Sequence, residues 1–258
     1  MPRAHRWLPG TVAVIGVLAL LEIASRTGLL PARWFPPMSD VTGRLVGQLG
    51  DGRFWTDLAQ TLQGWAIGLL IAIVVAVPAG LAIGSSWWLY RALRPVVEFL
   101  RPVPSVALIP LAILVYGSGI ETKVFLVAFA ALWPLLLQMI YGARDVDPVA
   151  LETARSYRLR RGDTVARVLI PSVLPYLATG VRISSSVALV LAVTAELVVG
   201  SPGIGRAITE AQNGGDVELM YTLIAVTGLL GWGLNAVLRR VERPLLHWHA
   251  SHRLEEVA

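Results

Sequence analysis

Residues 58–90 contain no charged side chain. An uncharged stretch of that length fits poorly into a soluble domain. Crossing a bilayer takes about 20 predominantly apolar residues in a helix, so this run predicts one span, placed at 61–84. The pattern recurs. Residues 102–120, 124–143 and 219–238 are uncharged, 170–200 is apolar apart from Arg182 and Glu196, and 7–24 carries a single acid, Glu22. The expectation is six membrane-spanning helices. Composition agrees: 55% of the chain is hydrophobic and 15% charged, against about 25% charged in a soluble domain. The segment 7–24 has the basic start of a signal peptide, but is expected to stay as an uncleaved first span.

Six spans place both termini on one side, and the arginines select it. One set of loops would hold Arg26, Arg33, Arg44, Arg53, Lys123 and Arg206. The other holds more, including Arg91, Arg94, Arg101, Arg144, Arg155, Arg158, Arg160, Arg161, Arg239 and Arg240. That excess puts both ends in the cytoplasm. It also accounts for the net charge of +5 without a nucleic-acid partner. Residues 26–60 are too polar to span. A weak apolar stripe at Val41, Leu45, Val46 and Leu49 predicts a short interfacial helix, with Trp34, Phe35 and Trp55 near headgroup level.

The stretch LETARSYRLRRGDTVARVLIPSVLP (151–175) stands apart, charged and helix-like between two apolar segments. Asp147-Pro148 supplies an N-cap acid and a first-turn proline. Val149, Thr153 and Tyr157 then share one helix face, which Leu151 and Ala154 extend. Glu152 and Arg155 are spaced to pair. Gly162-Asp163 is read as a break, with Asp163 capping a second short helix over 164–170, and Pro171 and Pro175 shaping entry into the next span. From the residues alone, a topology-setting loop and a docking helix are evenly matched.

Glu152, Thr153 and Ala154, three residues, Arg158, nine residues and then V-L-I-P ending at Pro171 resemble the EAA loop of permease subunits in binding-protein-dependent ABC importers. Arg158 stands where that family usually has glycine; Gly162 is then the candidate for the turn. The similarity extends to 101–119, the DPVALETA run, 174–184 and AELVVG at 195–200, over about residues 35–245, and points to the nitrate/sulfonate/taurine branch. The resemblance implies an all-α integral membrane protein of the type I importer permease fold. It divides the chain into an N-terminal span with a periplasmic segment (1–57), the transmembrane domain (58–245, EAA loop 147–175) and a cytoplasmic tail (246–258). It also implies a homodimer in a prokaryotic plasma membrane, two cytoplasmic ATPase subunits carrying ATP and Mg, and an extracytoplasmic substrate-binding protein. Leu151, Glu152, Thr153, Ala154, Arg155, Ser156, Tyr157, Arg158 and Pro171 would form the ATPase-coupling element.

Several chemistries are absent from the sequence. There is no cysteine, hence no disulfide or thiolate metal site. The single lysine, Lys123, is not preceded by the glycines of a phosphate-binding loop, so ATP is expected on a separate polypeptide, with no cofactor on this chain. No histidine falls within a predicted span, which counts against a membrane-embedded enzyme. His247, His249 and His252 read as a solvated tail rather than metal ligands. Charges inside spans are costly and face a cavity or a partner. Two readings stay open: Arg182 reaches the cytoplasmic interface or a neighbouring carbonyl and Glu196 supports the turn that follows it at the outer interface, or both stand along the translocation pathway or its gate; 14 residues of helix, about 21 Å, keep them from pairing. Ser105 joins them, beside the helix-breaking Pro102, Pro104 and Pro110.

Overall fold

The computed structural model describes residues 8–31 and 33–245, and every regular element among them is helical. In chain order they are α1 (Leu8–Arg26), α2 (Met38–Gln48), α3 (Gly52–Ser85), α4 (Trp87–Leu100), a 3₁₀ turn (Ser105–Leu108), α5 (Ile109–Tyr116), α6 (Ile120–Arg144), α7 (Pro148–Ser156), α8 (Arg161–Thr164), a π-helical turn (Val165–Leu169), α9 (Ile170–Val199), α10 (Ile204–Asn213) and α11 (Val217–Leu245).

The core is α3, α6 and α9 packed side by side. The Asp51 carboxylate accepts from the Arg53 amide at 2.9 Å and starts α3, which then runs unbroken through residue 57. Along α3 the buried residues Gly64, Gly68, Ala72, Ala76, Gly80 and Gly84 recur every fourth position, so they form one stripe on the helix surface. α6 lies against that stripe. A Cβ on Gly84 would sit 2.6 Å from the Ala143 Cβ and 2.7 Å from the Ile140 carbonyl. Such close backbone approach is what small residues give membrane helices, where the hydrophobic effect does not drive helix association. On the other side of α6, Gly142 meets the Tyr176 ring and Gly180 meets Leu135 and Gln138. The Ser184 hydroxyl donates to the Ala131 carbonyl at 2.7 Å.

Four helical runs among the described residues are long and apolar enough to cross a bilayer: Gly52–Ser85, Ile120–Arg144, Gly162–Val199 and Val217–Pro244. The third predicted span, 102–120, is not one straight helix. α4 and the 105–116 segment meet at an 80° bend, because Pro102 and Pro104 remove the backbone donors on which α4 would continue. The bent pair counts as one broken span at most, raising the total to five. A sixth requires α1, a 19-residue helix whose Val14, Ile15 and Leu20 side chains are exposed.

The short helix expected from the 41–49 stripe is α2. Val41 is buried, and its carbonyl accepts from Thr222 of α11 at 3.2 Å. Trp34, Phe35 and Trp55 are exposed beside it. The entry into α9 differs from expectation. The helix starts at Arg161, so Asp163 lies in its first turn instead of capping it, and pairs with Arg167 at 3.9 Å. Pro171 has no amide to give the Arg167 carbonyl. The chain meets this with a π turn, in which the Ile170 amide reaches back to Val165.

Candidate functional site

Two arrangements stand out, one buried and one exposed. The buried one is built around Lys123, which the sequence reading put in an outer loop and which instead lies in the first turn of α6, 1% exposed. Its ammonium donates to Glu196 Oε1 at 2.8 Å, to the Pro202 carbonyl at 2.8 Å and to the Gln60 carbonyl at 3.0 Å. All three N–H donors are thus used. Glu196, near the end of α9 and 0% exposed, accepts at Oε2 from Thr61 Oγ1 and from the Gly205 amide, both at 2.9 Å. Thr61 Oγ1 in turn accepts from the Ile204 amide at 2.9 Å.

Local sequence explains the shape. Gly200 closes α9 in the left-handed region at φ +77°. Gly203 follows at φ +148°, and any side chain there would overlap the Glu196 carboxylate. The network therefore ties α3, α6 and α9 to the turn that starts α10. A carboxylate and an ammonium removed from water are tolerable only when paired and fully hydrogen-bonded, as both are here. Lys123, Thr61 and Gly203 escaped the sequence reading. The available signal was a lone lysine opening one apolar run and a lone acid closing another.

Arg182 and Glu196 do not meet, as their spacing required. Arg182 faces Glu242 of α11 at 3.6 Å. Ser105 is half-buried at the start of the 3₁₀ turn and joins neither charge network.

The exposed arrangement is α7. Asp147 caps it, accepting from the Val149 amide at 2.8 Å, with Pro148 in the first turn. Ala154 turns inward at 3% exposure and Leu151 packs on the core, whereas Val149, Glu152, Thr153, Arg155, Ser156 and Tyr157 are exposed, Tyr157 at 79%. Leu151 and Ala154 thus anchor the helix rather than extend its free face. Among the described residues Glu152 and Arg155 make no ion pair, although their spacing allows one. Gly162 lies inside α8 and does not supply the turn after α7. Arg158 does so itself, at φ +51°. Its amide donates to the Arg155 carbonyl at 2.9 Å and that of Leu159 to the Ala154 carbonyl at 3.0 Å. This is the hydrogen-bond pattern of a glycine-type helix stop, with arginine in the left-handed position. The tail histidines lie outside the described residues.

Long apolar helices whose interior charges are paired define an integral membrane protein. Residues 68–245 match the family model described as the binding-protein-dependent transport system inner membrane component; the chain belongs to this family of permease components of ABC importers. It is 29% identical to the taurine transport system permease protein TauC of Escherichia coli (strain K12) over 247 residues, 94% of this chain and 89% of that one. It is 32% identical to the nitrate import permease protein NrtB of Synechococcus elongatus (strain ATCC 33912 / PCC 7942 / FACHB-805), covering 94% and 91% of the two chains. Among solved structures, an inward-facing form of the MetNI methionine ABC transporter matches with a TM-score of 0.67 at 18% identity, covering 74% of this chain and 95% of that one. At that identity the likeness is one of fold.

Proposed function

We propose that the chain forms the translocation pathway of an importer for a small anion of the sulfonate, taurine or nitrate type, as a homodimer, with α7 docking on a separate ATPase that carries ATP and Mg. Relatives named for taurine and nitrate support the substrate class. An extracytoplasmic binding protein delivers the solute, and both termini and α7 lie in the cytoplasm. Six crossings follow if α1 and the bent α4–α5 pair each cross. Ser105 and Arg182 are the candidate pathway groups on this chain, and Glu196, with no exposed surface of its own, is a candidate gate group.

The observation that carries the reading is the outward face of α7. Val149, Thr153 and Tyr157 are exposed, while Leu151 packs on the core and Ala154 is buried, and the helix lies against the π-helical turn that leads into α9. A helix laid into a partner's groove needs that division between anchor and free face. ATP-driven closure of the partner would push α7 and thereby the α6 and α9 ends it joins, a two-state movement that alternating access requires. The test is capture of the ATPase subunits from the same source by the detergent-solubilised chain. Wild type should retain them and Glu152→Lys and Tyr157→Asp should not, with all three eluting as folded protein. Equal capture by the variants would remove α7 from the interface. A folded wild type that captures no ATPase would leave a passive channel as the better reading.

A further inference from the structure

α4 belongs to neither arrangement above. It bears exposed Trp87, Trp88, Val96 and Phe99. With the end of α6 it encloses a cleft of about 320 Å³. The cleft holds three arginines, and their partners differ. Arg94 is paired with Glu98 at 2.8 Å, on the cleft wall. Arg91 lies over the Trp87 ring at 5.1 Å and Arg144 over the Tyr90 ring at 4.0 Å. Neither of these two has a carboxylate within salt-bridge distance among the described residues. Each guanidinium carbon lies over an aromatic ring, and among the described residues neither side chain is held by an ion pair, which leaves N–H donors available. Such donors match a phosphate in two parallel hydrogen bonds.

From this geometry we infer that the cleft between α4 and the end of α6 binds the phosphate headgroup of an anionic phospholipid. The inference rests on the orientation given above, which places this end of the bundle at the cytoplasmic leaflet, where anionic lipid is attracted by juxtamembrane arginine. The tryptophans and Phe99 beside the cleft suit the headgroup boundary, where amphipathic rings accumulate. An acyl chain would leave the headgroup along the apolar side of α4, and the cations would hold the phosphate between Arg91 and Arg144.

The experiment is native mass spectrometry of the purified chain loaded with equal phosphatidylglycerol and phosphatidylcholine. Inorganic phosphate forms a separate arm. Wild type should retain phosphatidylglycerol preferentially. Arg91→Gln with Arg144→Gln should weaken that retention about tenfold or more, since each surface arginine adds of the order of a kcal/mol to anionic-lipid binding. Arg33→Gln removes a guanidinium 5.1 Å from the Trp34 ring outside the cleft and should change nothing. Equal retention of the two lipids by wild type would overturn the inference without any variant. So would unchanged selectivity in the folded double variant. Full displacement by inorganic phosphate would make the ligand a soluble anion and overturn the lipid assignment. Loss of lipid when ATPase is added would assign the cleft to that partner and overturn it as well. Because lipid retention is read on the permease alone, its failure is separable from failure of ATPase capture.

Discussion

Lys123 and Glu196 are 73 residues apart in sequence and 2.8 Å apart in space, and their burial makes the two single deletions unequal to the double. Removing one partner strands the other charge away from water, which costs about 3–5 kcal/mol, whereas replacing both removes that stranded charge. Lys123→Met and Glu196→Gln should each lower the thermal midpoint in detergent sharply, and the double variant should recover part of the loss, the Gln60 and Pro202 carbonyls still lacking their donor. Additive losses would show that the pair does not act as a unit. Arg158 poses the opposite case, an L-residue held at φ +51°. Glycine there relieves the left-handed strain at some cost in unfolded-chain freedom, for a net gain of about 0.5–1 kcal/mol. Arg158→Gly should slow hydrogen exchange at the Leu159 amide, which closes the stop against Ala154; faster exchange would mean that the arginine side chain itself holds the turn.

At the scale of the element, α3 and α6 are matched by contact of backbones rather than by large side chains. Gly84→Val would press a branched side chain onto the Ile140 carbonyl, 2.7 Å from the Cβ position. Overpacking of this kind costs about 1–3 kcal/mol. Gly16, in α1, has nothing within 4 Å of its Cβ position, so Gly16→Val is the matched control and should leave the melting curve unchanged. The four-residue spacing of the α3 glycines and alanines is present in the sequence, but a spacing does not say which helix approaches it. The bent α4–α5 pair is the reverse lesson. Hydropathy made 102–120 a span by itself, whereas only 105–116 of it is helical, and Pro102 and Pro104, which the same sequence displays, set that segment at an angle to α4.

Across the whole molecule, the end of the bundle away from α7 is laced by exposed charge. Arg44 meets Asp216 at 2.8 Å, Arg206 meets Glu210 at 2.8 Å, and Arg53 bonds the same Glu210. The hydrogen bond from Arg206, with Arg53 beside it, holds the Glu210 carboxyl below its ordinary 4.5. A depressed carboxylate contributes stability above the unfolded value and loses it as pH falls below 4.5 through the folded one. Thermal midpoints of wild type should therefore drop faster than those of Glu210→Gln between neutral pH and pH 3. Parallel curves would show that these exposed pairs contribute nothing measurable, the usual result for isolated surface pairs.

What the sequence by itself determined was local in origin. Apolar runs longer than a helical bilayer crossing, the Asp147-Pro148 start of α7, the exposed loop between two apolar segments and the missing phosphate-binding lysine all depend on residues within a few turns of each other. Tertiary structure decided the rest: that Lys123 faces Glu196, that Arg182 faces Glu242, that Ala154 turns inward and that Arg158 takes the turn assigned to Gly162. Each of these depends on how far a helix is rotated about its axis and how deep it sits against a neighbour. Close packing of the α3, α6 and α9 surfaces sets both quantities, and a pattern of hydropathy along one helix contains neither.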